Sequence, residues 1–173
     1  MSADGWDGIL DKDEEIRWQG RPDGRVTFSI GNLATFAFGL FFAGFALVWM
    51  IMAASAGGLF WMFGLLHFAV GLAVAFGAIF FSAYRRRRTW YTLTNKRAFV
   101  ATVLPFQGRR LKSYVIDDET VVELAAGDPA SIFFATETRR TKNGTRAVRV
   151  GFERVPDGQT VYRLIRDIQK GPA

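Results

Sequence analysis

The main feature of the hydrophobic pattern is one continuous apolar stretch that carries no charge. Residues 26–84 contain no Asp, Glu, Lys or Arg, and His67 is their only side chain that titrates near neutral pH. An amphipathic helix or a half-buried strand would interleave polar positions, and this stretch does not. Its two apolar blocks, at about residues 33–53 and 59–83, each reach the roughly 20 residues that a helix needs to cross a bilayer. The pattern therefore predicts a transmembrane helical hairpin.

After residue 88 the apolar positions recur with a period of two, which is typical of strands with one buried face. Short strands are predicted at residues 89–93, 97–103, 111–116, 121–126, 132–137 and 148–152, and another at 16–19. Asn143 and Gly144 give the strongest turn signal, since a type I′ hairpin needs positive φ at both central positions. A helix is predicted at residues 159–169, with Asp157 as its N-cap. The predicted fold class is α+β: a two-helix transmembrane hairpin plus a small antiparallel β-sheet or open barrel with a C-terminal helix.

Charge separates an N-terminal segment (1–25), the hairpin (26–84) and a C-terminal domain (85–173). The formal net charge is +6, but residues 1–25 carry four basic and seven acidic side chains, against eighteen and nine in residues 85–173. Arginines flank both outer ends of the hairpin, and the link at residues 54–58 is uncharged. The positive-inside rule then predicts both termini in the cytoplasm. No signal-peptide pattern opens the chain, so a multi-pass protein of the cytoplasmic (inner) membrane is expected.

Two sequence motifs flank the hairpin: the string WQGRP at residues 18–22 precedes it, and WYTLTNKR at residues 90–97 follows it. In this order they resemble the motifs of the bacterial pleckstrin-homology-like (PH-like) membrane proteins of the two-span type. The resemblance covers nearly the whole chain. It implies a bent sheet of seven strands closed by a C-terminal helix. It also implies that residues 14–19 join the cytoplasmic domain across the hairpin.

Basic residues next to the inner membrane surface are the first candidates for a binding role. Near an anionic leaflet each contributes about 1 kcal/mol. The candidates for binding lipid or a partner are Arg85, Arg86, Arg87, Arg88, Lys96 and Arg97, and Arg109, Arg110 and Lys112 could extend their surface. The alternative for residues 85–88 is a pure topology anchor.

A second basic cluster surrounds the predicted turn at Asn143. Its members are Arg139, Arg140, Lys142, Arg146 and Arg149. Nucleic-acid surfaces interleave basic groups with exposed aromatics. Here the neighbouring aromatics, Phe133, Phe134 and Phe152, stand where a core is expected. The cluster is therefore interpreted as a solvated hairpin tip or as a surface for an acidic partner, and no nucleic-acid partner is expected.

Small residues inside the hairpin occur at spacings that allow helices to pack closely. The predicted intramembrane packing residues are Gly31, Thr35, Gly39 and Ala43 in the first helix and Gly64, His67, Gly71, Ala75, Ala78 and Ser82 in the second. These faces could pair within the hairpin or dock a membrane-protein partner. His67 is expected to donate to a backbone carbonyl or hydroxyl of the facing helix, since neither helix contains an Asp or Glu for a proton relay.

The sequence contains no recognisable catalytic constellation. It has no Cys, its single His lies in the hairpin, and Asp117, Asp118 and Glu119 are interpreted as a turn between strands. No phosphate-binding glycine pattern or nucleophile elbow occurs, so no catalytic residue, metal or cofactor is predicted. The sequence favours a non-catalytic membrane-anchored scaffold that assembles or stabilises a larger membrane complex. A sensor of anionic lipid at the inner leaflet is the alternative, and an accessory subunit of an envelope- or lipid-modifying enzyme is a further one.

Overall fold

The protein is α+β and divides into a helical unit and a β unit. The computed structural model describes residues 6–28, 30–105, 107–141 and 144–171, with Ala78 described by its backbone alone. The helical unit is Gly24–Arg85, and the β unit combines the described residues up to Asp23 with those from Arg86 onwards. The β unit is therefore built from chain on both sides of the helices.

The helical unit contains two long apolar helices joined by a short link. Helix α1 spans Ile30–Ser55, a single 3-10 turn spans Phe60–Met62, and helix α2 spans Phe63–Arg87. Both helices are long and apolar enough to cross a membrane. Helix α2 ends four residues beyond the predicted span, because the arginines that follow the apolar block are good helix formers.

Seven antiparallel strands form two sheets in the β unit. The first sheet has the order β1 (Ile16–Gly20), β2 (Thr89–Thr94), β3 (Arg97–Leu104) and β4 (Gly108–Val115). The second has the order β5 (Glu123–Ala125), β6 (Ala130–Thr141) and β7 (Gly144–Val155). Helix α3 (Gly158–Gln169) follows. The turn between β4 and β5 contains Asp117, whose carboxylate accepts a hydrogen bond from Thr120, so these acidic residues form a turn as predicted.

The first two strands of the sheet lie on opposite sides of the helical hairpin in sequence. Trp18 of β1 pairs with Leu93 of β2, and Gly20 pairs with Tyr91. Only Arg88 separates the end of α2 from the start of β2. The segment before the hairpin thus forms an edge strand of the domain that follows the hairpin.

The core of the β unit lies between the two sheets and is closed by helix α3. Leu93, Ile132 and Phe152 are fully buried there, and α3 contributes Val161 and Ile165. These two positions fall on one face of α3, as the amphipathic pattern predicts. The core therefore combines residues from strands of both sheets with one face of the helix.

Two neighbouring phenylalanines on β6 have different environments, which corrects one sequence expectation. Phe134 is buried against Phe152, whereas Phe133 is only half-buried and lies beneath the guanidinium of Arg149, 4.4 Å from its ring centroid. Successive side chains of a strand point to opposite faces, so both rings could not enter the same core. A bulge between Phe133 and Ala135 then shifts the alternation along β6.

Asp157 stands at the predicted N-cap position of α3, but its side chain does not cap the helix. Asp157 precedes the helix, but its side chain makes no capping hydrogen bond, and its φ and ψ of −96° and 33° lie outside the extended conformation that a capping residue adopts. The Asp157 carbonyl accepts the first hydrogen bond of the helix, from the Val161 N–H at 3.1 Å. Its position is fixed by the buried face rather than by the cap.

Asp157→Ala is therefore expected to change the free energy of unfolding by less than about 0.5 kcal/mol, the usual range for an exposed substitution. Loss of a working N-cap costs about 1 kcal/mol. Urea unfolding of the full chain in detergent, followed by tryptophan fluorescence, measures the difference. A loss of 1 kcal/mol or more would mean that the carboxylate caps the helix in solution.

Candidate binding surfaces

The six basic residues that the sequence singles out do not form one surface. Arg86 and Arg87 end helix α2, and Arg88 stands directly before β2, whereas Lys96 and Arg97 lie beyond its other end at the β2–β3 turn. A six-residue strand is about 20 Å long. Lys96 and Arg97 therefore cannot extend the surface of the arginine run, and the two groups are considered separately.

Arg86 of the arginine run contacts Asp23, the last residue of the β unit before the helical unit begins. Its Nε donates to the Asp23 carbonyl at 3.0 Å. The Asp23 carboxylate accepts a hydrogen bond from Arg154 on β7 at 3.0 Å, and the Asp23 N–H donates to the Arg154 carbonyl at 2.8 Å. Both connections to the hairpin are thus tied to the β unit, so Arg86 has a structural contact besides any role in binding.

Arg97 belongs to a buried ion pair. Its guanidinium donates to both carboxylate oxygens of Glu14, through Nε at 3.1 Å and through Nη2 in a still shorter contact. The Glu14 side chain is completely buried, and it also accepts hydrogen bonds from Thr94 Oγ1 at 2.6 Å and from the Asp11 N–H at 3.0 Å. The arrangement locks the segment before the hairpin onto the β2–β3 turn. The resemblance implied that residues 14–19 join this domain, but the sequence analysis did not identify the pairing of Glu14 with Arg97.

The environment of Glu14 favours its ionised form. Burial by itself raises the pKa of this carboxyl. The hydrogen bonds from Arg97, Thr94 and the Asp11 backbone, together with the charge of Arg97, outweigh burial and lower the pKa to about 2. The same pairing raises the pKa of Arg97 through its hydrogen bond to Glu14. This cation is therefore already neutralised within the protein and is a poor candidate for binding an external anion.

A polar cluster joins the two sheets between β4 and β6. Lys112 Nζ lies 2.6 Å from both carboxylate oxygens of Glu137, and the Tyr114 hydroxyl donates to the same carboxylate. The hydrogen bond from Lys112, followed by that from Tyr114, lowers the pKa of Glu137. Burial, and then the hydrogen bond to Glu137, raises the pKa of Tyr114. The cluster fixes β6 against β4 at the place where the core ends.

On the other face of the second sheet, Arg149 of β7 is also paired. Its Nη1 lies 2.9 Å from an Oε1 of Glu123 on β5, while its guanidinium covers the ring of Phe133. Cation–π contacts at exposed sites contribute about 0.5–1 kcal/mol. Arg149 thus belongs to the body of the sheet, whereas the remaining arginines of its cluster lie further along the strands.

Beyond these contacts, β6 and β7 continue as an exposed two-stranded ribbon. Residues 138–141 and 144–147 are exposed on both faces, and Arg139 stands directly opposite Arg146 in the register. In the part of the chain that the structure describes, Arg139, Arg140 and Arg146 make no ion pair and no side-chain hydrogen bond. Lys142 and Asn143, which belong to the predicted turn, lie outside the described residues, and Gly144 has the positive φ of 121° that such a turn favours.

Within the helical unit, some of the predicted packing residues bring α1 and α2 into backbone contact. A Cβ added to Gly39 would lie 2.4 Å from the Ala75 nitrogen, and one added to Gly71 would lie 2.7 Å from the Ala43 nitrogen. An added Cβ at Gly64 would meet the side chain of Met50. The side chain of Ala78 is not described. Ala46 and Ile79 are also buried, although the small-residue spacing did not select them.

Other small residues of the hairpin lie away from this contact. Gly31 and Thr35 are exposed, and the Thr35 hydroxyl donates to the Gly31 carbonyl of its own helix at 3.0 Å. Ser82 is half-buried and donates to the Ile79 carbonyl at 3.0 Å. The two hydroxyls therefore make their hydrogen bonds within their own helices.

His67 bonds within its own helix rather than across the hairpin. Its Nδ1 lies 3.2 Å from the Phe63 carbonyl one turn earlier. The ring lies 5.0 Å from that of Phe63 and 6.3 Å from that of Phe42 on α1. The contact with α1 is thus aromatic. The prediction of a hydrogen bond to the facing helix is wrong, because the ring nitrogen bonds to the Phe63 carbonyl of its own helix.

Comparisons of the chain with family models, with curated proteins and with solved structures found no match.

Proposed function

We propose that this protein is a non-catalytic binding protein, anchored in the cytoplasmic membrane by its hairpin, that assembles or stabilises a larger membrane complex. The observation that carries the proposal is the insertion of the apolar hairpin between two hydrogen-bonded strands, β1 and β2. A hairpin inserted in a bilayer returns the chain to the side from which it entered. The β unit is then attached through both ends of the hairpin, and it acts as a platform at the membrane surface rather than as a domain on a flexible tether.

Membrane insertion is supported by the exposed faces of the two helices. Phe41 and Phe45 of α1 are 75% and 65% exposed, and Leu66 of α2 is 65% exposed. A helix from the core of a water-soluble protein would bury such side chains. Arginines flank the outer ends of both helices, so the positive-inside rule favours cytoplasmic termini.

The topology of the β unit supports a PH-like fold. The unit has seven strands followed by a C-terminal helix, which are the elements that the resemblance of the WQGRP and WYTLTNKR motifs implies, although the strands form two sheets of four and three. In this interpretation β1 is the first strand of the domain, and the membrane hairpin replaces the connection between the first two strands. Membership of the bacterial PH-like membrane proteins is part of the proposal.

A role in assembly is supported by small residues that the hairpin does not use. An added Cβ at Gly31, Gly44 or Gly77 would meet nothing within 4 Å in the described residues. Outward-facing glycines of this kind allow the helices of a partner to approach closely and gain dispersion contacts. We therefore expect the partner to be another integral membrane protein.

A crosslinking pull-down from native membranes tests the proposal. The wild-type chain should enrich at least one integral membrane protein over an unrelated two-span protein. Gly77→Leu, which fills an outward-facing position, should weaken that enrichment without affecting expression. If no partner is enriched, the assembly role is refuted. If the full-length chain is recovered folded and monomeric without detergent or lipid, the membrane anchor is refuted as well.

Sensing of anionic lipid at the inner leaflet is the second candidate, and the charge of the β unit favours it. Residues 85–173 carry twice as many basic as acidic side chains. Anionic leaflets attract basic segments that are held close to them. The two candidates are compatible, since a platform that binds lipid can also hold a partner.

A further inference from the structure

We infer that the basic ribbon, defined as residues 138–141 and 144–147, is a binding site for anionic lipid headgroups. This inference rests on the proposed membrane anchor but not on the assembly role. It concerns a different part of the chain from the arginine run at residues 85–88. The ribbon's described arginines are Arg139, Arg140 and Arg146.

The acidic groups next to the ribbon are already neutralised by other cations. Glu137 at its base is bound by Lys112, and Glu123 is bound by Arg149. Arg139 also attracts the Glu137 carboxylate electrostatically, but in the described residues none of the three ribbon arginines forms an ion pair, so the ribbon keeps a net positive charge. The Lys112–Glu137 and Arg149–Glu123 pairs also hold β6 and β7 where these strands leave the core, so the base of the ribbon is fixed to the β unit.

The strand register places two arginines of the ribbon opposite each other, an arrangement that a bound anion would stabilise. Arg139 and Arg146 are directly paired across β6 and β7, so their side chains lie on the same face. Like charges at directly opposed positions destabilise a pair of strands. A phosphate between the two guanidiniums would remove the repulsion, because arginine binds phosphate oxygens in a bidentate geometry.

The chemistry of the ribbon favours a lipid surface over a macromolecular partner. Protein interfaces are centred on buried aromatic or large apolar anchors, and the ribbon exposes threonines and Ala147 beside its arginines instead. Single-stranded nucleic acid requires exposed aromatic rings for stacking, and the described ribbon has none. A flat array of phosphodiesters needs only charge and hydrogen-bond donors, which are the groups the ribbon presents.

The absence of Cys from the chain makes a direct measurement possible. Thr141→Cys places a single thiol at the tip of the ribbon, two residues from Arg139 and on the same face. The full chain would be labelled with bimane and reconstituted into nanodiscs of phosphatidylcholine, alone or with phosphatidylglycerol. Quenching by acrylamide, which is neutral, then reports whether the tip is covered. Thr160→Cys on the exposed face of α3 serves as the control label.

We expect the Thr141→Cys label to be protected from quenching in anionic discs and not in zwitterionic ones, with protection reversed by 0.5 M salt. Arg139→Gln with Arg146→Gln should lower the ratio of docked to free ribbon by about thirtyfold, since each basic residue near an anionic leaflet contributes about 1 kcal/mol. The matched variant, Lys12→Gln with Arg163→Gln, removes the same charge from exposed positions elsewhere and should retain protection.

Three outcomes would overturn the inference. The first is equal quenching in both kinds of disc, and the second is equal loss of protection in the two double variants. The third is protection that appears only after a membrane extract is added, which would indicate a protein partner. A chain that elutes free of the discs would refute the membrane anchor together with this inference, so failure of the anchor is distinguished from failure of the ribbon.

Discussion

Arg97→Met is expected to lower the free energy of unfolding of the β unit by about 3–5 kcal/mol, the usual cost of removing one partner from a buried ion pair. The Glu14 side chain is completely buried and depends on Arg97 for two of its hydrogen bonds. Without them the carboxylate must become protonated or draw water into its site. Because Glu14 precedes the hairpin and Arg97 follows it, the loss should also release β1 from β2.

The effect of this substitution should depend on pH. In the wild type the folded state lowers the pKa of Glu14 to about 2 from an ordinary value of 4.5. Its stabilising contribution is therefore complete above pH 4.5 and is lost as the pH falls towards 2. Since each unit of pKa shift corresponds to about 1.4 kcal/mol, this contribution to the free energy of unfolding is on the order of 3 kcal/mol. The difference between wild type and Arg97→Met should accordingly be largest at neutral pH and should narrow below pH 4.5.

Urea unfolding of the full chain in detergent measures the total loss, and hydrogen–deuterium exchange at residues 89–104 reports the β unit by itself. Arg17→Met is the matched control, because the Arg17–Glu15 pair is exposed on both sides and such pairs contribute less than about 1 kcal/mol. If the two variants lost equal stability, or if the Arg97→Met difference did not change between pH 7 and pH 3, the buried pair would not hold the segment.

The two apolar helices and most strands were predictable because each follows from the periodicity of its own residues. Gly144, for example, ends one run of alternating residues and begins another, and the structure starts β7 there. Element ends were less predictable, since they depend on groups outside the apolar pattern. Helix α2 continues through Arg86 and Arg87 because arginine has a high helix propensity. Hydropathy does not report helix propensity, so the apolar pattern could not predict this end.

Contacts between distant residues could not be predicted from pattern at all. Glu14 and Arg97 stand 83 residues apart, so one appeared to be part of an acidic tail and the other part of a basic surface. The motif resemblance implied that residues 14–19 join the domain, but neither it nor the run of acidic residues before β1 distinguishes Glu14 from Glu15 as the partner of Arg97. Phe133 shows the same limit at close range, because its place outside the core depends on the orientation of β6.

The hairpin provides the second large effect: Gly71→Leu is expected to destabilise the association of α1 with α2 by on the order of 3 kcal/mol, the upper part of the range for overpacking. A Cβ at Gly71 would lie 2.7 Å from the nitrogen and 2.9 Å from the Cα of Ala43, and backbone atoms cannot move aside as a flexible side chain can. The helices would have to separate and lose the dispersion contacts between them, which are the main attraction between helices if the hairpin lies in lipid as proposed.

Gly77→Leu is the matched control on the same helix, since an added Cβ there meets nothing within 4 Å in the described residues. Titration with SDS would report separation of the hairpin if it is followed by the fluorescence of Trp49 in a chain whose other four tryptophans are replaced by Phe. Trp49 lies 5.3 Å from Phe60 across the link. Gly71→Leu should lower the midpoint, while Gly77→Leu should leave it unchanged or raise it slightly, because leucine is the better helix former. Equal midpoints would mean that the close approach at Gly71 does not stabilise the hairpin. A Gly77→Leu chain could keep the SDS midpoint of the wild type and yet no longer enrich a membrane partner in the pull-down. That result would mean that one face of α2 packs against α1 and the other binds the partner.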